Sequence, residues 1–490
     1  MKIESARGAS DRTRRLFSRI APDATRSSMS DRHIELVAAR WCPDVEAAMA
    51  LTSTLLLRLD EYAPVLHLRA PADRAVRVPR LRDTAIFDAV AEQHQGFASL
   101  ERFTTKKAAE PDLRLLFGGV GDGITVNSSG WRVSIGCFED GPADCNFIAA
   151  AFAGVLASID AVQALLELHS PRCRRFRGTM SLWDLKLDGA NGPPLADPVD
   201  LDNAAFVACG GVASAAFWTL GLLQLAGSPL LVDPDTIDPE GANLNRHLTA
   251  GFNDLGLAKV DLAGSLLTSA GASPTARRER WRTPRTAFRT VVTSPDSDSV
   301  RREVQLTMPA TVLNAGTNDD GMYMVSRHDF LNGACLSCVA RSDLIDTSPV
   351  ASAARRLGLR EDDLTPSLTS TDPLSPRVLA SATGLSGEER AALAAVPGRN
   401  LLEHVCGSLR PTPEEPALSA PMLSAAPGVL LANDVVRLGM GAASASSVTM
   451  TSMLTGPHPR WTFVRGKHPD CECTDALYTE HFRKKWGLQR

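Results

Sequence analysis

The chain has 490 residues, of which 44% are hydrophobic, 22% charged and 5% aromatic, a composition typical of a globular protein. At about 100–200 residues per domain, this length predicts two to four domains. The 52 Lys and Arg residues against 56 Asp and Glu give a net charge of −4 without a long basic run, which excludes nucleic acid as a main partner.

The N-terminal part of the chain carries few assignable motifs. Residues 1–105 are rich in Ala, Arg and Leu and are predicted to be helical, as around Val37–Leu59. Two short runs of β-forming residues joined at Asn127–Gly130 then predict a hairpin. The Ala/Leu/Val pattern of Asn146–His169 predicts a helix buried against a sheet. The Gly-, Pro- and Asp-rich stretch Leu187–Val199 predicts a linker between domains.

An uncharged segment, Phe206–Val232, follows this linker and bears on localisation. It is long enough for a membrane span of about 20 residues. Glycines divide it at Gly210-Gly211 and again at Gly227, so it is interpreted as a buried strand–helix–strand unit and no membrane partner is expected. The N-terminus lacks the continuous apolar stretch of a signal peptide. We therefore expect a cytoplasmic protein.

Small and acidic residues in this unit predict a nucleotide site. Gly210 and Gly211 let the backbone approach phosphates, and amides at the start of the following helix favour an anion. The next strand ends in acidic residues, and Asp233, with Asp235, can hold the hydroxyls of a ribose. A Rossmann oxidoreductase would also explain this much of the pattern.

Amide and cationic side chains follow the acidic strand at Asn243, Arg246 and Lys259. A dehydrogenase has no need of two cations here, whereas a triphosphate does, because charge that develops on phosphoryl oxygens is stabilised by fixed cations and Mg²⁺. Taken singly, Arg246 and Lys259 could equally be solvated surface residues. As an ordered set with the glycine turn, they favour a triphosphate site.

The ordered elements GGVAS, VDPDTID, NLNR and D-x-G-x-x-K-V resemble the ubiquitin-activating enzyme superfamily, which includes the ThiF, MoeB and HesA proteins. The resemblance covers residues 205–262. It implies an α/β fold of the ThiF/MoeB type, with a Rossmann-like adenylation domain that binds ATP. It also implies phosphate contacts from Gly210, Gly211, Asn243, Arg246 and Lys259, and ribose contacts from Asp233 and Asp235.

One motif departs from the family pattern. Where the family has VLDxxDN, this chain has Val312–Asn318, with Thr317 in place of the acid that helps to position Mg²⁺. Because Mg²⁺ keeps several waters and needs only one or two carboxylates, Asp319 or Asp320 is the expected replacement. Asn318 is expected beside the nucleotide.

Two close thiol pairs, Cys335 with Cys338 and Cys471 with Cys473, supply the four soft ligands of a tetrahedral structural Zn²⁺ site. The sequence distance between the pairs is large, so the fold must bring them together, and unconnected reduced thiols are the alternative. Members of the resembled family carry such a zinc, with one pair after the adenylation half and one near the C-terminus.

Cys406 is the candidate nucleophile. In thioester-forming members of the family, the catalytic cysteine lies between the first zinc pair and the last adenylation helix, a position that Cys406 matches. The reactive thiolate needs a nearby cation, dipole or base, and His404 is two residues away. A buried core thiol is the alternative.

The resemblance also implies the division of the chain. Leu113–Leu168 is similar to the degenerate, nucleotide-free half that activating enzymes pair with the active one, which gives a pseudo-dimer within one chain; a homodimer is the alternative. The expected domains are an N-terminal helical region (1–105), a degenerate adenylation-like half (106–195), an active ATP-binding domain (200–340), a mostly helical insertion with the catalytic cysteine (341–410) and a C-terminal part with the second zinc pair (411–490).

The function implied by the resemblance is activation of a ubiquitin-like protein. Mg-ATP would adenylate the C-terminal glycine of that protein, Cys406 would form a thioester, and a ubiquitin-conjugating-type enzyme would receive the product, with bacterial antiviral operons as the expected setting. A sulfur-carrier adenylyltransferase, which would tolerate Cys406→Ala, and a non-catalytic scaffold, suggested by Ala208, Ala213 and Thr317, remain open.

Overall fold

The computed structural model describes residues 29–71, 85–137, 145–166, 175–238, 244–282, 287–317, 322–340, 354, 357–368, 370–383, 387–398, 401, 420–442, 447–453, 456–457 and 461–488. Two large sheets of mainly parallel strands with packed helices confirm the expected mixed α/β class. The chain forms two compact units, one made of Met1–Val339 with Leu418–Arg490 and the other of Ala340–Ala417.

The first half of the larger unit is built on one eight-stranded sheet. Its strands are β1 His33–Ala38, β2 Val65–Arg69, β3 Phe103–Thr104, β4 Leu113–Phe117, β5 Ile124–Ser129, β6 Arg132–Ile135, β7 Gly178–Ser181 and β8 Lys186–Leu187, and its helices are α1 Pro43–Leu57, α2 Ile86–Gln93 and α3 Phe147–Leu165. The spatial order is β3-β2-β1-β4-β5-β6-β7-β8. In this spatial order the first five strands pair in parallel, and the last three strands pair antiparallel.

The second half contains a further eight-stranded sheet. Two short strands, β9 Val199–Asp200 and β11 Leu225–Ala226, pair with each other beside it. The sheet itself consists of β10 Ala204–Val207, β12 Leu230–Val232, β13 Thr275–Arg277, β14 Thr290–Thr293, β15 Thr311–Thr317, β16 Met322–Asp329, β17 Ser447–Ser452 and β18 Thr462–Val464. Its order is β13-β12-β10-β14-β15-β16-β17-β18. The helices in sequence up to the smaller unit are α4 Gly211–Leu220, α5 Lys259–Ser269, α6 Asp298–Leu306 and α7 Leu336–Val339.

The described residues of the smaller unit include the short helices α8 Glu361–Leu364, α9 Pro376–Ser381 and α10 Gly387–Leu393. Their apolar side chains, with Leu357, Leu374 and Leu401, form a core of their own. The larger unit then resumes with α11 Pro421–Gly439 and, after β18, ends with α12 Ala476–Trp486. The predicted insertion 341–410 falls within the smaller unit.

The two large sheets share one topology. In each sheet five parallel strands are followed by three antiparallel strands, and the strand that comes first in the chain lies third from the edge. The helix that follows that strand packs against a 19-residue helix from later in the same half, α1 against α3 and α4 against α11. The larger unit is therefore built from two topologically equivalent halves.

The first half begins earlier than the sequence pattern predicts. Val37–Leu59 was expected to be helical, but its start belongs to β1 and the helix spans Pro43–Leu57. Strands β1 to β3, all before residue 105, lie in the same sheet as β4, so the predicted boundary at 105 falls inside that sheet. Short strands rich in Val, Leu and Ala have the same composition as helix segments, which explains the difference. The predicted hairpin exists, with its turn at Gly130-Trp131.

Two apolar segments are core elements. The predicted strand–helix–strand unit at Phe206–Val232 is confirmed as β10, α4 and β12, with β10 and β12 parallel. Of the described helices, α3 alone is long and apolar enough to cross a membrane, and 94% of its apolar window is buried inside the protein. It was predicted as a buried helix over Asn146–His169, and the Asn146 side chain caps it by accepting the N–H groups of Ile148 and Ala149.

Candidate functional site

The loop between β10 and α4 forms an open turn at the carboxyl edge of the second sheet. Gly210 is the N-cap of α4, and a Cβ placed on it would meet nothing within 4 Å. The first turn of α4, which is fully described, carries no acidic residue. Ala208 adopts a φ of 71°, which costs a non-glycine residue roughly 1–3 kcal/mol. The turn leaves room and a favourable helix dipole for an anion.

The carboxylate of Asp233 ties this turn to the end of β12. Its Oδ2 accepts the backbone N–H of Cys209 at 2.6 Å, and its Oδ1 accepts that of Asp235 at 2.8 Å. Burial raises the pKa of Asp233 above its usual value, and the ammonium of Lys259 opposes part of that shift. Each carboxylate oxygen keeps a further acceptor site, so the arrangement suits a ribose hydroxyl donor.

Lys259, the first residue of α5, points at the same acidic pair. Its Nζ lies 2.8 Å from Asp235 Oδ2, and its backbone N–H donates to the Asp235 carbonyl at 3.1 Å. The Lys259 side chain is 11% exposed, whereas the Asp235 side chain is 63% exposed. A buried ammonium held by a solvent-facing carboxylate can exchange that partner for a phosphate oxygen.

Arg246 lies against the glycine turn. A Cβ on Gly211 would come within 3.1 Å of Arg246 Cγ and 3.2 Å of the Arg246 carbonyl, so a side chain here would have to displace Arg246 slightly. The segment 244–250 is held there by His247 Nε2, which donates to the Cys209 carbonyl at 3.1 Å, and by Leu248 N, which donates to Ser214 Oγ at 3.0 Å. The structure thus brings Gly210, Gly211, Asp233, Asp235, Arg246 and Lys259 to one edge of the second sheet.

His247 is a packing residue of this loop and not a solvated one. It is fully buried, and burial lowers the pKa of its imidazole to about 3. Burial also raises the pKa of the neighbouring Cys209 thiol well above its usual value. Both side chains therefore stay neutral beside the proposed phosphate site.

Arg301 was not singled out by the sequence pattern. Its Nε donates to the side-chain Oδ1 of Asn314 at 3.2 Å, and its Nη1 pairs with Asp298 at 2.7 Å. Asn314 lies in the middle of β15, level with Thr293, the last residue of β14. The i,i+3 spacing of Asp298 and Arg301 on a helix was the available signal, although it is common on surfaces.

Several predicted site residues lie outside the described part of the chain. Asn243, Asn318, Asp319 and Cys406 belong to this group. The expected phosphate amide, the Mg²⁺ carboxylate and the nucleophile therefore remain predictions. The described thiol Cys145 donates to Asp44 Oδ1 at 2.6 Å, and desolvation and this carboxylate raise its pKa, which disfavours the reactive thiolate.

The two predicted thiol pairs meet in one buried cluster. The Sγ atoms of Cys335, Cys338, Cys471 and Cys473 all lie within 4.8 Å of one another. The separations are 3.8 Å for Cys335–Cys338, 3.5 Å for Cys335–Cys471 and 3.4 Å for Cys338–Cys473. A tetrahedral Zn²⁺ with Zn–S bonds of about 2.3 Å places its sulfurs about 3.8 Å apart. The cluster therefore fits a four-thiolate metal site.

Residues around this cluster connect the C-terminal helix α12 to the second half by packing and hydrogen bonds. Phe330 stacks on Phe482 of α12 with ring centroids 4.9 Å apart. Trp486 Nε1 donates to the Met308 carbonyl at 2.9 Å. The backbone N–H of His468 also donates to Cys338 Sγ at 3.3 Å, which stabilises a thiolate. The four buried thiols therefore lie where the C-terminal helix packs against the second half.

Similar proteins are distant. No family model matches the sequence. An uncharacterized protein of Sinorhizobium fredii, y4jF, is 27% identical over 329 residues, which is 62% of this chain and 62% of that protein. The chain thus spans less than two thirds of this relative.

Among solved structures, E. coli MccB with ATP is 14% identical over 56% of this chain and 65% of that chain, with a TM-score of 0.34. The microcin C7 biosynthetic enzyme MccB in complex with N-formylated MccA is 12% identical over 72% and 98%, also with a TM-score of 0.34. PaaA is 15% identical over 54% and 72%, with a TM-score of 0.30. These scores are too low to assign an activity.

Proposed function

We propose that the protein is an ATP-dependent adenylyltransferase that activates the C-terminal carboxylate of a protein or peptide. The proposal rests on the proximity of five residues at the carboxyl edge of the second sheet: Gly210, Gly211, Asp233, Arg246 and Lys259. A helix N-terminus, a carboxylate pair and two cations together suit a nucleoside triphosphate better than a dinucleotide.

Each group has a defined task in this chemistry. A substrate carboxylate oxygen attacks the α-phosphorus of ATP, the bond to the bridging oxygen breaks, and pyrophosphate leaves with that electron pair. Arg246 and Lys259 stabilise the negative charge that builds up on the phosphoryl oxygens. The amides at the start of α4 hold the phosphate chain, and Asp233 orients the ribose.

Mg²⁺ would shield the phosphate charge when bound. Its expected ligand Asp319 lies outside the described residues, and both oxygens of the described Asp233 already accept backbone N–H groups. Zn²⁺ would hold the C-terminal segment through Cys335, Cys338, Cys471 and Cys473, with no part in the chemical step.

The finer proposal is that the substrate is a ubiquitin-like protein with a C-terminal glycine. Cys406 would displace AMP from the acyl-adenylate to form a thioester, and a conjugating-type enzyme would accept the acyl group. The first half would be a degenerate adenylation half, which the shared topology of the two sheets supports. A setting in antiviral defence is part of the same proposal and rests on the resemblance alone.

ATP–pyrophosphate exchange with candidate ubiquitin-like proteins and C-terminal peptides tests the proposal. Exchange that is lost in Arg246→Ala and retained in the surface control Lys186→Ala would support adenylation. A thiol-sensitive adduct that disappears in Cys406→Ala would add the thioester step. Exchange without such an adduct would favour a sulfur-carrier or peptide adenylyltransferase, and no exchange by folded protein with any substrate would contradict the proposal.

A further inference from the structure

Arg58 is a fully buried cation that links the two halves of the larger unit. It follows α1 in the first half and is 0% exposed. Its Nη1 donates to the backbone carbonyls of Leu244 and, at 3.1 Å, of His247, and its Nη2 donates to that of Ala250 at 2.7 Å. All three acceptors belong to the segment 244–250 of the second half.

Other groups of the first half support the same segment. Gln93 Nε2 donates to the Leu248 carbonyl at 2.9 Å. The ring of Phe97 lies 5.4 Å from Arg58 Cζ and makes an edge contact with Phe252, with ring centroids 5.0 Å apart. A planar guanidinium with several fixed donors is well suited to hold three carbonyls at once.

The opposite side of segment 244–250 faces the glycine turn. His247 bonds Cys209, Leu248 bonds Ser214, and Arg246 lies against Gly211. The segment is therefore held between the first half on one side and the proposed phosphate site on the other. Removal of the guanidinium would leave buried carbonyls without their donor, and the segment would have to move to satisfy them.

We propose that Arg58 is a positioning residue for Arg246, so that a residue of the first half supports the phosphate site through the backbone of segment 244–250. This inference rests on the proposed adenylation function for its kinetic consequence. A displacement of a charge-stabilising group by about 1 Å costs on the order of a hundredfold in rate. Loss of Arg58 should therefore lower kcat more than it changes the KM for ATP.

The test compares Arg58→Met and Arg58→Lys with the matched control Arg102→Met. Arg102 also donates to two backbone carbonyls, of Glu61 at 3.1 Å and Ala63 at 2.8 Å, but both lie within the first half. We expect kcat for ATP–pyrophosphate exchange to fall on the order of a hundredfold in Arg58→Met. Arg58→Lys should recover part of it, and Arg102→Met should stay within about twofold of the unmodified protein.

A second readout does not depend on the reaction. Amide hydrogen exchange at Leu248 and Ala250 should accelerate at least tenfold in Arg58→Met and remain unchanged in Arg102→Met. If the unmodified protein performs no pyrophosphate exchange, the proposed function fails, yet the amide rates still decide whether Arg58 holds this segment.

Two results would overturn the inference: unchanged amide rates in Arg58→Met, or unchanged kcat in a folded variant of a protein that performs the exchange. If Arg58→Met does not fold, Gln93→Leu removes one donor to the same segment. That variant should then show a smaller decrease in kcat and a smaller acceleration of amide exchange. Unchanged amide exchange rates in that variant would contradict the inference.

Discussion

The two halves of the larger unit share their sheet topology and helix packing. They differ in the loops at the carboxyl edge of the sheet, where a nucleotide would bind. Helices α3 and α11 both contain the pattern G-V-L-x-x-x-D, at Gly154–Asp160 and Gly428–Asp434. A Cβ on Gly154 would meet the Ala48 carbonyl of α1, and one on Gly428 would meet the Val212 carbonyl of α4. The same close helix crossing is therefore built twice.

The loops after the first strand of each half are chemically opposite. In the second half, Gly210 and Gly211 open α4 and Asp233 follows β12. In the first half, α1 opens with Pro43, and its first turn carries the buried acids Asp44 and Glu46. Carboxylates at a helix N-terminus use the positive end of the dipole and repel phosphate. The first half therefore has the same sheet and helix framework without the groups that would bind an anion.

The largest expected effect concerns the thiol cluster, which has no counterpart among the described residues of the first half. We expect one zinc per chain by elemental analysis and none in the double variant Cys471→Ser/Cys473→Ser. Structural zinc contributes about 10–16 kcal/mol of binding free energy in small domains, so the variant should release α12 and lose thermal stability. Cys42→Ser/Cys137→Ser is the matched control, and zinc that survives in the cluster variant would contradict the site.

The next effect compares two cations beside equivalent strand ends. Lys259→Ala should lower the rate of pyrophosphate exchange on the order of a thousandfold, because the developing phosphoryl charge loses a fixed cation. Arg69→Ala, at the end of β2 in the first half, should leave the rate within about twofold. Equal losses in the two variants would show that both halves take part in catalysis.

The paired glycines give a smaller effect that tests the equivalence itself. Gly154→Ala and Gly428→Ala should each lower the free energy of unfolding by about 2 kcal/mol, since the overpacking cost outweighs the gain in helix propensity. Gly428→Ala should also slow pyrophosphate exchange, because Val212 adjoins Gly211. Gly439→Ala, where a Cβ meets nothing within 4 Å, is the control in urea titrations. A loss of stability in only one of the two variants would show that the two helix crossings are not equivalent.

An effect of similar size to that of the glycines is a pH dependence from two buried histidines, one in each half. Burial lowers the pKa of His94 and of His247 to about 3, from 6.5 in the unfolded chain. Below pH 6.5 these imidazoles are protonated in the unfolded state but remain neutral in the folded state. The free energy of unfolding therefore falls as the pH drops, and the decrease ends near pH 3. Each histidine should cost about 2 kcal/mol between pH 6.5 and pH 5.

Urea titrations at pH 7 and pH 5 check that value. His94→Gln and His247→Gln should each remove about 2 kcal/mol from the difference between the two pH values. An unchanged difference in both variants would show that these imidazoles are protonated in the folded protein.

The second half could be predicted from the sequence more fully than the first. The uncharged run at Phe206–Val232, interrupted by glycines and followed by Asp233, is a local pattern, and the structure has the predicted strand–helix–strand unit there. In the first half, β1 and β2 are short and carry no motif, so the sheet before residue 105 was missed. The repeated G-V-L-x-x-x-D was visible in the sequence, but it occurs once in each half and shows no fixed period.

Contacts between the halves could not be predicted. Arg58 and Leu244 are 186 residues apart, and Arg58 stands in a helical stretch with no motif around it. The thiol pairs were recognisable because cysteine spacing is a chemical signature, whereas an arginine that bonds backbone carbonyls leaves no pattern in its partners. The candidate site cations Arg246 and Lys259 were predicted only from the order of their motifs.

Equilibrium binding of a non-hydrolysable ATP analogue, measured by calorimetry, tests the central claim most directly. The account predicts one nucleotide per chain, weakened strongly by Lys259→Ala and unaffected by Asp44→Asn in the first half. Two nucleotides per chain, no binding by the folded protein, or binding that depends on Asp44 and survives Lys259→Ala would contradict the assignment of the nucleotide site to the second half.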